Sequence, residues 1–297
     1  MKKAFLQLHI AVLLAGFTAI IGKLVDLNEG VLVWYRMVIS AVTLGVILYF
    51  RHEMIRISLG KMGALLGVGA IIALHWVTFY GSIKYSNVSV AVTCLSAIGF
   101  FTSLFEPLLM RRRVDIVEVM LGLLTILGVY LIFNFYPEFK TGIIFGILSA
   151  MLACLFPILN KRLLGSFSPK IVTFYEMAGG VIVLCVILPF YFRFFPARNL
   201  MPTWQDWIWL GVLAWCCTVL AFILSLSALM KISAFTVNLS YNLEPVYSIL
   251  LAFLLFKENK FLGPGFYAGF SLILLAVSLQ MIRVWRGRKR RRLVAVR

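Results

Sequence analysis

Five ionisable side chains stand inside long apolar segments of this 297-residue chain: Arg36, His75, Glu106, Glu176 and Glu244. A charge at the centre of a lipid bilayer costs about 2.5–3.5 kcal/mol even on a lenient insertion scale. Side chains kept there at such a cost are candidates for binding a substrate or carrying a proton. Carboxylates could bind a cation or a proton, whereas an arginine could bind a carboxylate or phosphate group.

Glu244 is the first candidate, because Pro245 follows it in the most polar of the apolar segments. Proline removes a backbone donor and can open the helix at this point. By helical rise, Glu244 would lie about 18 Å into its span, close to the bilayer midplane. Ser240, Glu244 and Tyr247 share a face at helical spacing. This stripe predicts a cavity lining, or alternatively hydrogen bonds that serve only packing; its further members are Asn238, Tyr241 and Asn242.

Arg36 would lie about five residues from the outer edge of the second span, with His75 at a similar depth in the third. Arginine stays charged, so it needs a carboxylate, carbonyl groups, water or an anionic substrate. Arg36 therefore either anchors a substrate carboxylate or phosphate, or snorkels outward, or pairs with Asp26, Glu29 or Glu244. For His75 we expect a packed histidine, with a proton relay as the alternative.

The two remaining carboxylates are expected nearer the cytoplasmic edge. Glu176 would lie about 13 Å from Arg36 along the membrane normal, too far for an ion pair. Arg36 and Glu176, with opposite charges at equivalent depths from opposite sides of the membrane, could instead shape the electric field along a substrate pathway. Glu106 would lie only about 3 Å from the edge, close to Arg111–Arg113, where a structural pair at the interface is expected.

These side chains are positioned by apolar runs of about 20 residues, the length of a helix that crosses a hydrocarbon core. The chain is 62% hydrophobic and 13% charged, and its runs lack the alternation of barrel strands. Lipid cannot hydrogen-bond an exposed backbone, so the runs must be helices. The sequence predicts an all-α integral membrane protein with ten transmembrane helices, near 4–22, 31–50, 62–80, 88–110, 114–134, 141–160, 170–190, 207–229, 232–256 and 261–282.

Lysine and arginine predict the orientation, because cytoplasmic loops of membrane proteins are enriched in them. With cytoplasmic N- and C-termini, the cytoplasmic side receives 20 of the 28 basic residues. The net charge is +17, and seven of the basic residues form a tail over Arg283–Arg292, after the last span, while the others are spread over short loops. Such a tail is typical of contact with anionic lipids rather than nucleic acid.

The chain also resembles itself. Trp34–Met37 matches Phe174–Met177, and residues 46–48 match 186–188, both at an offset of 140. Five spans per half mean that the second half enters the membrane from the other side, which is typical of secondary transporters. We therefore predict two five-helix inverted-topology repeats, at residues 1–137 and 138–284, with the tail at 285–297.

The second half carries Asn242–Pro245, the segment Leu250–Glu258 and Gly269 in its last span. These residues resemble the EamA domain of the drug/metabolite transporter superfamily, and the resemblance extends over both halves. It implies export or exchange of small metabolites such as amino acids across a bacterial plasma (inner) membrane. Together with the inverted repeat, this predicts a secondary-active exporter that works by alternating access. The first half departs from the pattern, because aligning Gly122 with Gly269 pairs unlike residues, Arg111 with Glu258 and Ile98 with Pro245.

Other classes of protein find less support. The chain contains no GxxxxGK[ST] sequence for binding a nucleotide, and its five cysteines and three histidines have no metal-ligand spacing. We therefore expect no cofactor, no metal and no enzymatic activity. The alternatives are a polytopic membrane enzyme, a channel or a structural membrane subunit. The expected partners are a small-molecule substrate and the lipid bilayer, while an oligomer is left open.

Overall fold

The computed structural model describes residues 2–111, 113–197, 199–241 and 243–294, apart from the side chains of 234–235, 238–239 and 284–294. Every regular element in these ranges is a helix. The α-helices are α1 Lys2–Leu24, α2 Glu29–Phe50, α3 Leu59–Tyr85, α4 Val88–Leu95, α5 Ile98–Met110, α6 Ile116–Phe135, α7 Lys140–Leu163, α8 Pro169–Tyr191, α9 Trp204–Ala214, α10 Ala221–Leu229, α11 Ala234–Tyr241, α12 Glu244–Phe256 and α13 Pro264–Val294.

Nine segments in the described ranges are long and apolar enough to cross a membrane. One of them joins α4 to α5, and another joins α9 to α10. A tenth crossing is divided between α11 and α12, on either side of positions 242 and 243. The prediction of an all-α membrane protein with ten spans is therefore confirmed. With ten crossings, α1 begins and α13 ends on the same side of the bundle, which we call the terminal side; the opposite side is the far side.

Polar side chains at the loop ends explain where several helices begin. Asn28 accepts a hydrogen bond from the backbone of Gly30, and Asn87 does the same for Val90. Thr203 and Asp206 form a reciprocal capping box at the start of α9. These bonds satisfy backbone N–H groups that have no partner within the first helical turn.

The two halves share an unusual broken crossing. In each half an eight-residue helix, α4 or α11, is followed after two residues by a thirteen-residue helix, α5 or α12. Both long pieces end at a residue in the left-handed conformation, Arg111 (φ 52°) and Lys257 (φ 53°). The structure thus pairs Arg111 with Lys257 and Ile98 with Glu244. The alignment of Gly122 with Gly269 had paired Arg111 with Glu258, so the structure shifts that alignment by one residue. The shift arises because the loops after α5 and α12 differ in length.

Glycines let the helices approach closely where the core is tightest. A Cβ on Gly69 of α3 would overlap the carbonyl oxygen of Glu176 on α8. Gly128 on α6 and Gly269 on α13 face each other in the same way. In lipid, helix association depends on such packing, since the solvent is as apolar as the side chains. The result is a closely packed bundle in which α3 packs against α7 and α8, and α6 packs against α13.

Candidate functional site

A cavity lies at the centre of the bundle, where the two broken crossings meet. Leu95 and Ile98 flank the first break, Tyr241 and Glu244 flank the second, and all four line the cavity. Interrupted helices are tolerated within a membrane where they border a cavity rather than lipid. The cavity has a volume of about 60 Å³. That is room for a few waters, and a ligand pocket of roughly 300–1,000 Å³ would require the surrounding helices to move apart.

Aromatic rings form the walls of this cavity. Trp76 meets Phe222 edge-on at 5.6 Å between ring centroids, and Phe156 stacks on Phe222 at 6.1 Å. A smaller cavity shares Phe156 and Phe222 and continues along α10 to Leu229, near the terminal side. The walls therefore suit an apolar or planar part of a ligand, and their free space continues towards the terminal side.

Arg36 is fixed in the cavity wall by three hydrogen bonds. Its Nε donates to Thr218 Oγ1 (2.6 Å), its Nη1 to the Tyr80 hydroxyl (2.6 Å) and its Nη2 to the Cys217 carbonyl (3.0 Å). The guanidinium also stacks 3.8 Å from the ring centroid of Trp76. Because a guanidinium has five N–H groups, two remain for a ligand. The side chain is 1% exposed, so it does not snorkel outward.

The alternative ion pairs for Arg36 do not form in the described structure. The Glu29 carboxylate accepts a hydrogen bond from the Tyr191 hydroxyl, and Asp26 binds Asp206 through its backbone N–H. Glu244 interacts with Arg36 through space across the cavity but makes no direct ion pair with it. The charge of Arg36 is therefore held by neutral partners, and it remains available to an anionic group.

A turn of π-helix explains how α9 and α10 present two of these partners. Residues Trp215–Leu220 are π-helical, and this wider winding is common at functional sites because it shifts the hydrogen-bond register. The Thr218 hydroxyl donates to the Leu213 carbonyl five residues earlier (2.8 Å) and accepts a hydrogen bond from Arg36 Nε. Sequence reasoning missed Thr218, Cys217 and Tyr80, although Tyr80 lies one turn beyond Trp76 on the helix that carries His75.

Glu244 is the first residue of α12 and is 8% exposed. Helix N-termini favour negative charge, and Pro245 is suited to the first turn, where no N–H is needed. Ser248 donates to the Gly16 carbonyl (2.9 Å), which fixes α12 against α1. The carboxyl group is thus placed at the break by a rigid helix end.

His75 lines the cavity beside Trp76 and is held by one residue of α7. Its Nδ1 lies 3.0 Å from the Ser149 carbonyl and 2.8 Å from the Ser149 hydroxyl, which itself donates to the His75 carbonyl. Since a carbonyl can only accept, we infer the tautomer in which Nδ1 carries the proton. In the neutral ring Nε2 is then left as an acceptor. Both the packed role and the relay role remain predictions.

The tenth crossing is divided between α11, which ends at Tyr241, and α12, which begins at Glu244, and its polar stripe is divided with it. Tyr241 lines the cavity and donates to Ser225 (3.3 Å), whereas Ser240 binds the Thr236 carbonyl within its own helix. Neither Ser240 nor Tyr247 lines the cavity. The predicted common face with Glu244 assumed an unbroken helix, which the structure does not contain. Asn242 and the side chain of Asn238 lie outside the described residues.

Glu176 and Glu106 lie away from the cavity. Glu176 is fully buried on α8 against α3, and no ion pair joins it to Arg36 in the described structure, as the predicted distance required. Glu106 is mostly buried on α5, within electrostatic reach of Glu118 on α6. Its predicted pairing with Arg111–Arg113 stays a prediction.

A second polar cluster closes the far side of the bundle around Glu258. One carboxylate oxygen accepts from Lys23 Nζ (2.6 Å) and the backbone of Val88 (3.2 Å). The other accepts from the backbone (2.9 Å) and hydroxyl (2.7 Å) of Ser89. Glu258 therefore ties the ends of α1 and α12 to the start of α4. We call this group the far-side cluster.

The far-side cluster should make stability depend on pH. Burial alone would raise the pKa of Glu258, but the hydrogen bonds from Lys23 and Ser89 outweigh it and hold this pKa below its ordinary value of 4.5. Glu258→Gln should lower the thermal unfolding temperature in detergent at pH 7 by several degrees, because a hydrogen bond to a charged group contributes about 1.5–3 kcal/mol. A carboxylate whose pKa is lowered by folding stabilises the folded protein fully at pH values above its ordinary pKa. The difference in unfolding temperature between wild type and Glu258→Gln should therefore vanish as the pH falls through the pKa of Glu258 in the folded protein.

The exposed Glu138 provides the matched control, since Glu138→Gln removes the same charge from a short 3₁₀ turn between α6 and α7. Its unfolding temperature should follow that of the wild type at every pH. An equal loss of stability in Glu258→Gln at neutral and acidic pH would contradict the role of the ionised carboxylate.

The fold and the site together define a class: a polytopic α-helical membrane protein whose two halves enclose a cavity that carries charge. Residues 2–134 and 140–282 each match the EamA-like transporter family. The chain belongs to that family, and the protein is a membrane transporter. The resemblance seen in the sequence is thereby confirmed.

Two individual proteins are similar to this chain. An uncharacterised transporter of Archaeoglobus fulgidus is 26% identical over 195 residues, which is 66% of this chain and 68% of that protein. A crystal structure superposes with a TM-score of 0.68 at 16% identity, covering 96% of this chain and 99% of that one. At this identity the structural match supports the fold alone.

Proposed function

We propose that the protein is a secondary-active exporter of small metabolites such as amino acids. The observation that carries the proposal is the central cavity, where Arg36 and Glu244 face a common space between aromatic walls. An amino acid has a carboxylate for the free N–H groups of Arg36 and an ammonium group for Glu244. Its side chain would lie against Trp76 and Phe222.

Alternating access is the mechanism that the architecture favours. Five crossings per half give the second half the opposite orientation, and such inverted repeats can exchange roles around a central site. The far-side cluster holds α1, α4 and α12 together, while the free space beside Phe222 continues towards Leu229. We infer a cycle in which the far-side cluster opens to release the substrate and closes again afterwards.

We propose that the terminal side is cytoplasmic and that the membrane is a bacterial plasma (inner) membrane. The basic residues near this side support the orientation, because positive charge is retained in cytoplasmic loops. Among them, Arg162 and Lys161 bind the backbone carbonyls of Leu109 and Leu229 at the helix ends. Net flux would then run from the terminal side to the far side.

Untargeted metabolite analysis of the medium tests the proposed function. Cells producing the wild type should accumulate at least one small metabolite outside, about tenfold above cells producing Glu244→Ala at matched membrane levels. Glu138→Ala, which removes a carboxylate from the surface, should behave as the wild type. Equal media from all three strains, across amino acids and other small metabolites, would contradict export.

A further inference from the structure

A second polar site lies within the bundle, outside the central cavity. Glu176 on α8 and Asn160 on α7 face each other, and both side chains are 0% exposed. Neither oxygen of Glu176 and neither polar atom of Asn160 makes a hydrogen bond of regular geometry within the described structure. Four buried polar atoms at one point are expensive to leave unsatisfied, so their chemistry requires an explanation.

Close packing prevents Glu176 from reaching water. Gly69 on α3 is so near the backbone of Glu176 that no larger residue fits there, and α2 and α10 also pack against α8. Leu66 on α3 and Gly179 on α8 make a second such approach one turn further along. The carboxyl group is thus enclosed by helices in this conformation.

No counter-charge faces Glu176 from the surrounding helices. On α2, α3, α7 and α8, every other acidic, basic or histidine side chain contacts a different group. Helix α10 carries no such side chain. The side chains on the other four helices are Glu29 and Arg36 on α2, Lys61, His75 and Lys84 on α3, Lys140, Lys161 and Arg162 on α7, and Lys170 on α8. An ionised Glu176 would therefore be a buried charge without compensation, which proteins avoid.

A neutral carboxylic acid fits the same surroundings. Its O–H can donate to the amide oxygen of Asn160, and its carbonyl oxygen can accept from the amide N–H, so a reciprocal pair would satisfy both groups. An ionised carboxylate is an acceptor only: it could accept from the amide N–H, but it would leave the amide oxygen without a donor. We propose that Glu176 and Asn160 form a proton-binding site, in which the neutral acid and the amide make a reciprocal pair.

This site deepens the proposed function and rests on it where transport is concerned. Release of the proton would leave a charge between α3, α7 and α8, so it requires these helices to separate and admit water. Asn160 is three residues from the end of α7 on the terminal side, which makes that side the entrance for the proton. Glu176 thus couples proton binding to the closure of the terminal side, without touching the substrate.

Infrared difference spectroscopy of protein in lipid, without substrate, tests the site directly. The difference between wild type and Glu176→Gln at neutral pH should show the C=O stretch of a protonated, hydrogen-bonded carboxylic acid. Asn160→Leu should shift this band to higher frequency, because the carbonyl loses its hydrogen bond. Carboxylate bands in place of the acid band would overturn the proposal, and an unshifted band in Asn160→Leu would overturn the pairing.

Transport gives a second readout that separates this site from the cavity. Glu176→Gln keeps the site neutral and should bind substrate as the wild type does, while its export should no longer respond to the pH on the terminal side. Export by Glu176→Gln with the full dependence on terminal-side pH would overturn the coupling role. The infrared result needs no substrate, so a failure of the exporter proposal would be recognised separately.

Discussion

Replacing Glu244 with glutamine is expected to reduce export of amine-bearing substrates by about tenfold or more, because a hydrogen bond to a charged group contributes about 1.5–3 kcal/mol. Glutamine keeps the size and the polarity of the side chain at the start of α12, so the anchor from Ser248 to α1 is retained. What is lost is the negative charge and the ability to bind a proton. If Glu244 exchanges a proton during the cycle, the remaining flux should also lose its response to a pH gradient.

The measurement is substrate efflux from proteoliposomes with and without an imposed pH gradient. Glu138→Gln, at an exposed loop, should retain both the rate and the gradient response. A loss of substrate binding distinguishes Glu244→Gln from Glu176→Gln, for which binding should persist. Gradient-driven efflux at the normal rate in Glu244→Gln would remove Glu244 from both roles.

Replacing Arg36 with lysine is expected to reduce transport of anionic or zwitterionic substrates by about tenfold, while substrates without a carboxylate lose much less. Lysine keeps the positive charge but offers a compact ammonium in place of the planar fork. It cannot reach Thr218, Tyr80 and the Cys217 carbonyl together and still present two N–H groups to a ligand. The specific loss therefore falls on planar acidic groups.

Competition between an amino acid and the corresponding amine, measured in the same proteoliposomes, gives the relative transport of substrates with and without a carboxylate directly. The exposed Arg193 supplies the matched control, since Arg193→Lys changes an arginine outside the cavity. Thermal unfolding should be recorded for each protein, because Arg36 also joins α2, α3 and the π-helical turn. Equal losses for both substrates would identify Arg36 as a structural residue only.

The sequence predicted which residues belong to the candidate site better than it predicted how they are arranged. Arg36, His75 and Glu244 stand out because ionisable residues are costly in apolar spans, and all three line the cavity. Glu176 stands out for the same reason, yet it lies in a separate place beside Asn160. Position along a helix gives depth in the membrane, but it does not tell which side chains meet across neighbouring helices.

The role of Glu258 in closing the far side was not predicted, although the segment Leu250–Glu258 carries the family resemblance. Glu258 lies just beyond the end of α12, where a loop carboxylate has no evident role in the sequence. Its importance comes from the start of α4, whose free backbone N–H groups it accepts, and from Lys23 at the end of α1. These groups are 169 to 235 residues apart in the chain and meet only in the folded bundle.

The sequence by itself determined that the protein lies in a lipid bilayer, that it is all-α, and that it has ten transmembrane segments. Apolar runs of spanning length require helices in lipid, because no water is present to bind the backbone. The tertiary structure alone decided where the tenth crossing breaks and that Arg36 is held by neutral partners instead of a carboxylate. The physical reason is that helix spacing and rotation in a membrane depend on close contacts such as Gly69 against Glu176. Such contacts join residues far apart in the chain, and no local pattern encodes them.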